Sequence, residues 1–474
     1  MRHTLLKLTG LLLALMLVLT GCNLIGVDAM KQLDVDFAKL EKDYAVSVAD
    51  YDGGSVTKAE VLGNFMSTYS YYAQMYNAFG MQIDNDTIES IKQQTLETAV
   101  QSVAIDKELQ TRGLSLSEDK LAEVQSSADD TYAQAYDSFY ASAEGKDEAV
   151  RARQTEYNLY TNGYSRDVFY KAQLDQANYE LIQETVRDEI GELTDEELTE
   201  AYNEKVAEDE EQYADDAGAF ESAMASDSEI VAWIPEGYRV VKHILVKPGD
   251  DVLQAVTDAR TALSDAQKKL EDLESELDAL NDDDAETETE EDAEAEGEET
   301  EAPRTTEEIE ADIADARAAV ETAQTEADAA VAACLESVKG KTDEIYEKIE
   351  AGEDFAALIA EYGEDPGMQN EPTATRGYYV SANSENWDAN FTAGAMALAG
   401  VGSVSETPVV STSGVHIIRY ESDAAAGAVA LEEIRDALYE ETLESAKDDH
   451  FTESLTSWIE ALHPVYHLDA FTVG

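Results

Sequence analysis

Apolar residues at three- and four-residue steps dominate the chain from residue 51 to residue 235. The stretch Ile88–Arg112 shows this spacing, and Gly113 directly behind it is a helix stop. The motifs Ser115–Glu118 and Thr194–Glu197 each predict a capping box at the start of a further helix. We therefore expect residues 51–235 to form an all-helical lobe.

This helical segment is also rich in tyrosine. Rigid aromatic rings with one hydroxyl suit helix–helix packing, and they equally suit a cradle that holds unfolded peptide. The sequence pattern does not separate these two interpretations. The tyrosines concerned include Tyr69, Tyr71, Tyr72, Tyr76, Tyr132, Tyr136, Tyr140, Tyr157, Tyr160 and Tyr164.

Short β-branched runs follow the helical segment and alternate with short helical patterns. The runs lie at 230–246, 377–380, 404–410 and 414–420, and the helix candidates lie at 339–351, 355–362 and 388–398. This alternation predicts a small α+β domain over about 236–422.

Two of the six histidines, His243 and His416, lie inside these β-branched runs. Each is flanked by Ile, Leu or Val, so both side chains should be buried in strands. A buried imidazole needs a hydrogen-bond partner. We therefore expect the two rings to lie side by side.

A segment over 250–338 interrupts the α+β domain. Its two ends repeat apolar residues in heptads, which predicts an antiparallel coiled-coil hairpin. The link at 281–303 is acidic and has no basic residue, so we expect it to be disordered. The alternative is pairing between two chains, which would give a homodimer. Cys334 falls on the apolar seam, where we expect a buried, inert thiol.

The N-terminal residues predict export. Arg2 and Lys7 precede the apolar run 11–19, a pattern typical of a signal peptide over 1–21. Leu-Thr-Gly-Cys22 resembles a bacterial lipobox, which implies that Cys22 is lipidated and that residues 22–50 form a tether on the extracytoplasmic side of the cell membrane. The formal charge of −71 argues against a nucleic-acid partner.

Three motifs in one order resemble the parvulin-type peptidyl-prolyl isomerases. They are Lys242-His-Ile-Leu-Val246, Ala351-Gly-Glu-Asp-Phe355 with Ala360-Glu-Tyr-Gly-Glu-Asp365, and Val409-Val-Ser-Thr-Ser-Gly-Val-His-Ile-Ile418. A preceding helical lobe, a following helix and a lipobox together resemble the PrsA-like foldase lipoproteins. The resemblance implies a parvulin-like fold, and it implies that the C-terminal segment 423–474, with its helix over 431–462, returns to the helical lobe.

The resemblance also implies a site. His243, Asp365 and His416 match the catalytic positions, and Trp387, Phe391 and Ser413 match positions that bind substrate. Trp387 stands where the family commonly has Met, four residues before Phe391 on an expected helix. The family's Gly-Gly-Asp-Leu-Gly segment is reduced here to Thr375-Arg-Gly-Tyr-Tyr379.

The implied activity is cis–trans isomerisation of X–Pro bonds in newly secreted polypeptides, with a holdase role. No covalent bond is broken, so no cofactor or metal is needed, and we expect the histidines to act structurally and electrostatically. The C-terminal histidines His450, His463 and His467 are a poor metal set, because Pro464 breaks helical ligand spacing. The alternative function is an inactive parvulin-fold chaperone or surface scaffold that binds unfolded or partner proteins.

Overall fold

The computed structural model describes residues 29–143, 147–286 and 304–472. The expected signal peptide, Cys22 and most of the acidic link lie outside these residues. The chain forms two compact units: the first takes the described residues up to Glu192 and those from Thr442 onward, and the second is Leu193–Glu441. Within the described ranges, no helix combines the length and the apolar character needed to cross a membrane.

The first unit begins with helices and a short β-hairpin. These elements are α1 (Ala29–Tyr44), β1 (Ser47–Tyr51), β2 (Gly54–Thr57), α2 (Lys58–Ala78), α3 (Asn85–Arg112), α4 (Glu118–Ser142), α5 (Glu148–Thr161) and α6 (Arg166–Arg187).

The second unit combines helices with short strands. Its elements are α7 (Asp195–Tyr213), α8 (Ala217–Ala225), β3 (Trp233–Ile234), β4 (Arg239–Val246), α9 (Asp250–Glu286), α10 (Thr306–Glu350), α11 (Phe355–Tyr362), α12 (Thr373–Arg376), β5 (Tyr378–Val380), α13 (Ala389–Met396), β6 (Val409–Val410), β7 (Val415–Asp423) and β8 (Gly427–Ala428).

The last long helix, α14 (Leu431–Glu460), begins in the second unit and ends in the first, and β9 (Val465–Tyr466) follows it. The described residues from Thr442 onward therefore belong with the N-terminal segment, which confirms that this lobe is discontinuous. In its core, Phe471 packs edge-on against Phe65 with ring centroids 5.2 Å apart.

The sequence pattern predicted an all-helical lobe, but the first unit also contains a small sheet. Strands β2, β1 and β9 form a three-stranded antiparallel sheet in that order. The expected tether over 22–50 is also wrong for its described part. Helix α1 has apolar residues at helical spacing, namely Leu33, Phe37, Leu40 and Tyr44. Of these, Leu33 and Tyr44 are buried, so α1 packs as part of the unit.

The helix boundaries follow their capping residues. Gly113 ends α3 in the left-handed conformation, and Thr194 starts α7 with the expected capping box. The cap of α4 is Ser117 rather than Ser115, because the Ser117 side chain accepts the hydrogen bond from the Lys120 amide.

The tyrosines of the first unit are partly packed and partly exposed. Tyr69, Tyr72 and Tyr160 pack against its buried core, whereas Tyr71 on α2 is 63% exposed. Tyr136 stacks on Tyr140 along α4, with ring centroids 5.9 Å apart.

The boundary between the units differs from the expected one at 235. Helix α8 packs its buried Phe220 against Tyr213, Tyr238 and Tyr379, so residues 193–235 share a core with the α+β domain. Helical spacing predicted these helices correctly, but spacing does not say which core a helix covers.

A four-stranded antiparallel sheet in the order β5-β4-β7-β6 forms the centre of the second unit. Of the two central strands, β4 has six buried residues among eight and β7 has five among nine, with the exposed ones at the end of β7. Their register pairs His243 with Ile418 and Leu245 with His416. The two histidines are therefore diagonal neighbours on one face of the sheet.

Helices α9 and α10 form an antiparallel hairpin between β4 and α11. Near its tip Leu273 packs with Ile309 and Ile313, and near its base Val256 lies in the domain core with Cys334. Helix α10 runs on to Glu350 without a break, so the helix expected at 339–351 is its last part. Helix α9 continues to Glu286, beyond the expected start of the link at 281. Burial raises the pKa of the Cys334 thiol, in keeping with an inert side chain.

Candidate active site

The register of β4 and β7 brings His243 and His416 into direct contact. Both side chains are buried, and their Nδ1 atoms are 2.9 Å apart. This is the mutual hydrogen bond that the flanking apolar residues predicted. The contact joins parts of the chain that are 173 residues apart in sequence.

Asp365, in the loop after α11, forms a hydrogen bond with the His243 nitrogen that does not contact His416. Its Oδ2 atom lies 2.8 Å from His243 Nε2 and accepts a second hydrogen bond of 2.8 Å from the Tyr378 hydroxyl. The Gly367 amide donates to Oδ1. Burial works to raise the pKa of Asp365, but His243, Tyr378 and the Gly367 amide together lower it to about 2. Asp365 is therefore ionised at neutral pH.

Ser411, and not the expected Ser413, supplies the hydroxyl beside the second histidine. Ser411 Oγ lies 2.6 Å from His416 Nε2, and it accepts a hydrogen bond from the backbone amide of Ser413. The Ser413 side chain is exposed. The sequence Ser-Thr-Ser offers three hydroxyls, and the turn into β7 decides which one faces inward.

His416 is held neutral. Burial, reinforced by the neighbouring His243, lowers the pKa of His416 to about 3. Because His416 is neutral, one of its ring nitrogens donates and the other accepts in the chain of hydrogen bonds that runs from Ser411 through His416 and His243 to the Asp365 carboxylate. The chain of hydrogen bonds thus ends on a fixed negative charge.

Aromatic side chains cover this network. Phe391 is buried, with its ring centroid 5.1 Å from His243 and 5.0 Å from His416. Trp387 stacks on Tyr378 at 4.3 Å and lies 6.2 Å from Phe391. Trp387 was expected on the helix that carries Phe391, but it precedes that helix, because Asp388 caps α13 and accepts from the Asn390 amide.

Tyr378 and Ser411 were missed as site residues. Tyr378 bridges the polar and aromatic parts, since its hydroxyl binds Asp365 and its ring stacks on Trp387. Burial and the adjacent carboxylate raise the pKa of Tyr378, so it stays protonated and donates. Its position directly after Gly377, at the start of a predicted strand, was the sequence feature that could have marked it as a site residue.

Each of the three C-terminal histidines lies beside a carboxylate. His450 pairs with Glu189, His463 with Asp52 and His467 with Asp50. In the part of the chain that the structure describes, no group of His, Cys, Asp and Glu has the arrangement of a metal site.

Comparison with known proteins identifies one segment. Residues 321–422 match the family model of the PPIC-type PPIase domain, or rotamase. The match begins within α10 and ends within β7, so it contains Asp365 and His416 but not His243. No curated protein matches the chain.

Three solved structures show low similarity over most of the chain. A peptidylprolyl isomerase (PrsA) from Bacillus cereus is 14% identical, with 88% of this chain and 92% of that chain covered and a TM-score of 0.18. A peptidylprolyl isomerase (PrsA) from Bacillus anthracis is 12% identical, with 77% of this chain and 95% of that chain covered and a TM-score of 0.17. The foldase protein PrsA from Streptococcus pneumoniae is 12% identical, with 83% of this chain and 95% of that chain covered and a TM-score of 0.21.

Values this low add nothing to the assignment, which rests on the matched segment and on the site. That segment supplies an acidic residue, an aromatic residue and a histidine, and β4 completes the set with His243. Residues 321–422 of the second unit therefore match the PPIC-type PPIase domain, and β4 adds His243 to the site that this segment forms.

Proposed function

We propose that the second unit catalyses cis–trans isomerisation of X–Pro bonds in unfolded polypeptides. The observation that carries this proposal is the buried hydrogen-bond network of His243, His416 and Asp365 against the ring of Phe391. The match of residues 321–422 to the PPIC-type domain supports it.

The reaction needs only differential binding. Rotation about an X–Pro bond meets a barrier of about 20 kcal/mol, and no bond is broken. In the twisted state the proline nitrogen loses its conjugation with the carbonyl. A site that binds this state more tightly than either planar isomer accelerates rotation.

The side chains divide this work between them. Phe391 and Trp387 offer apolar area for the proline ring, and the ionised Asp365 with the Tyr378 hydroxyl gives the site its polar side. Both histidines are buried, and His416 is neutral, so we assign them to holding Asp365 and the aromatic rings in place rather than to proton transfer.

Isomerisation of a proline peptide by the full chain tests this function. We expect the wild type to accelerate the reaction and His243→Ala to lower kcat/KM at least about tenfold, because Asp365 then loses its main partner. His450→Ala is the matched control, since it removes a histidine–carboxylate pair in the other unit. Equal rates with and without the protein would refute the enzyme assignment.

The proposed place of action is the extracytoplasmic side of the membrane, with a lipid anchor at Cys22 and newly secreted chains as clients. The basic start, the apolar run and the lipobox-like Leu-Thr-Gly-Cys22 support this location. Mass spectrometry of the mature protein tests it: a diacylglyceryl-modified Cys22 at the N terminus is expected, and an unmodified start elsewhere would remove the anchor from the proposal.

A holdase role is the second candidate, and a surface feature of the first unit favours it. Tyr71 and Met75 on α2, with Phe79 and Met81 just after it, are exposed, Phe79 by 78%. Neighbouring exposed apolar side chains suit contact with unfolded segments. Suppression of client aggregation should survive in His243→Ala and weaken in Phe79→Ser. The opposite pattern would place client binding in the isomerase domain.

A further inference from the structure

Helix α8 carries a buried carboxylate that the isomerase network does not use. Glu221 is 1% exposed and lies a hundred residues before the matched segment. Its Oε2 atom accepts hydrogen bonds from the backbone amides of Glu385, at 3.2 Å, and Asn386, at 2.9 Å. Its Oε1 atom accepts from the Tyr238 hydroxyl at 3.3 Å.

The two amides belong to the loop at 381–388, which joins β5 to α13 and carries Trp387. A second set of bonds holds the same loop. The side-chain amide of Asn386 donates to the Gly218 carbonyl at 2.8 Å and to Ser222 Oγ at 2.9 Å. Four hydrogen bonds on two successive residues therefore attach this loop to α8, directly before the indole of the site.

Further contacts fix the indole itself. The Trp387 Nε1–H donates to the Tyr379 carbonyl at 2.8 Å, and its ring stacks on Tyr378. Phe220, the residue before Glu221, packs edge-on against the Tyr379 ring at 5.6 Å. Helix α8 thus supports the backbone on both sides of the Trp387–Tyr378 stack.

We propose that Glu221 is a positioning residue for substrate binding, which sets the place of Trp387 beside Tyr378 and Phe391 through the loop amides. The hydrogen bonds of Glu221 go to the loop amides and to the Tyr238 hydroxyl and not to the histidine network, so the loop that carries Trp387 connects Glu221 to the site. The inference rests on the proposed isomerase function, and it makes α8 part of the binding site although α8 lies outside the family segment.

Kinetics of Glu221 variants in the full chain test this role. Loss of a buried acceptor for two amides should release the loop, so Glu221→Ala should raise KM for a proline peptide about tenfold. Because the histidine network is untouched, kcat should stay within about twofold of the wild type. Glu221→Gln keeps one acceptor oxygen and should recover most of the lost affinity.

Asp209→Ala is the matched control. Asp209 is fully buried on α7 and accepts from the Ala232 amide at 2.6 Å, but it does not touch the 381–388 loop. A purely structural effect of a buried carboxylate would appear equally in both variants. An unchanged KM in Glu221→Ala, a loss confined to kcat, or an equal KM increase in Asp209→Ala would overturn the proposal.

Amide hydrogen exchange separates this inference from the isomerase assignment. Exchange at Glu385 and Asn386 should become faster in Glu221→Ala and stay unchanged in Asp209→Ala. If the wild type shows no isomerase activity, the proposed function fails. Quenching of Trp387 fluorescence by a proline peptide, in a background with Trp233→Phe and Trp458→Phe, then still measures affinity. Equal affinity of wild type and Glu221→Ala for that peptide would then refute the positioning role.

Discussion

His243 and His416 share a hydrogen bond but have different partners at their far sides. His243 faces the ionised Asp365, whereas His416 faces the neutral hydroxyl of Ser411. Their contact could be predicted, because apolar neighbours bury both rings and a buried ring needs a partner. The choice of Ser411 over Ser413 could not, because it depends on the backbone turn before Gly414, which has a φ of +143°.

The depressed pKa values predict how the stability of the second unit depends on pH. His416 has a pKa of about 3 in the fold against an ordinary value of 6.5, so the unfolded chain binds the extra proton between these values. Stability should therefore rise with pH from about 3 to 6.5 and then level off. Asp365, with a pKa of about 2 against 3.8, adds stability that is present above 3.8 and lost as the pH falls towards 2.

Denaturant unfolding at a series of pH values checks this dependence. His416→Gln should flatten the rise between about pH 3 and 6.5, since it removes the group that titrates there. His467→Gln, at a partly exposed histidine of the other unit, should leave the slope of the second unit unchanged. An unaltered slope in His416→Gln would contradict the assignment of the low pKa to this ring.

Tyr378→Phe isolates one hydrogen bond of the site. The substitution removes the hydroxyl that donates to Asp365 and keeps the ring that stacks on Trp387. We expect kcat to fall by a factor of about three to ten, in line with about 1 kcal/mol for such a bond, with little change in KM. Tyr379→Phe is the control, and equal losses in both variants would show that the Asp365 contact is not the cause.

Among the elements, long periodic segments were predictable and short strands were not. Helix α3 and its Gly113 stop follow directly from spacing and capping. Strands β1 and β2 are only five and four residues long, so their alternation is too brief to stand out beside the helices. The Asp52-Gly53 pair between them is typical of a hairpin turn and could have predicted these two strands.

Strand β5 depends on the glycine before it. Gly377 has a φ of +82°, and a Cβ there would lie 2.7 Å from Val240 Cγ1 and 2.8 Å from the Val241 carbonyl oxygen. Gly377→Ala should therefore displace β5 from β4 and lower the free energy of unfolding by about 2 kcal/mol or more. Chemical unfolding measures this loss.

The same substitution at Gly340 should have the opposite effect on the free energy of unfolding. Gly340 lies within α10, and a Cβ there meets nothing within 4 Å. Alanine should stabilise this helix by about 0.5–1 kcal/mol. A loss of stability at residue 340 similar to that at residue 377 would refute the steric argument.

At the scale of the whole molecule, the sequence predicted a discontinuous helical lobe and an interrupted isomerase domain. It placed the boundary at 235 rather than at 192, because α7 and α8 look like further helices of the lobe. Their apolar faces instead meet Tyr238 and Tyr379 of the α+β domain. Periodicity identifies a buried face, whereas the partner of that face depends on contacts between distant residues.

The inserted hairpin has two parts with different roles. Its base contributes Val256, Cys334 and Val338 to the core of the isomerase domain, whereas its outer part packs only on itself through residues such as Leu273 and Ile313. Replacing residues 264–326 by a short turn should therefore keep isomerase activity within about twofold, since no core contact is lost. Thermal unfolding and the peptide assay measure the outcome.

Removal of the hairpin at its base should give the contrasting result. A deletion of residues 252–338 exposes apolar core of the domain, and burial of such side chains contributes about 1.5–3 kcal/mol each. We expect this variant to lose the folded isomerase domain. If it unfolded at the same temperature as the shorter deletion, the base would not belong to the domain core.

The long separation of β4 and β7 also has a consequence for synthesis. The apolar strand β4 emerges about 170 residues before the strand that covers it. Closing so long a loop costs only about 0.6 kcal/mol more for each doubling of its length, and a hairpin that folds locally shortens the effective distance. Until β7 arrives, the nascent chain exposes an unpaired apolar edge. A protein proposed to assist the folding of others is thus, during its own synthesis, an unfolded chain in need of the same protection.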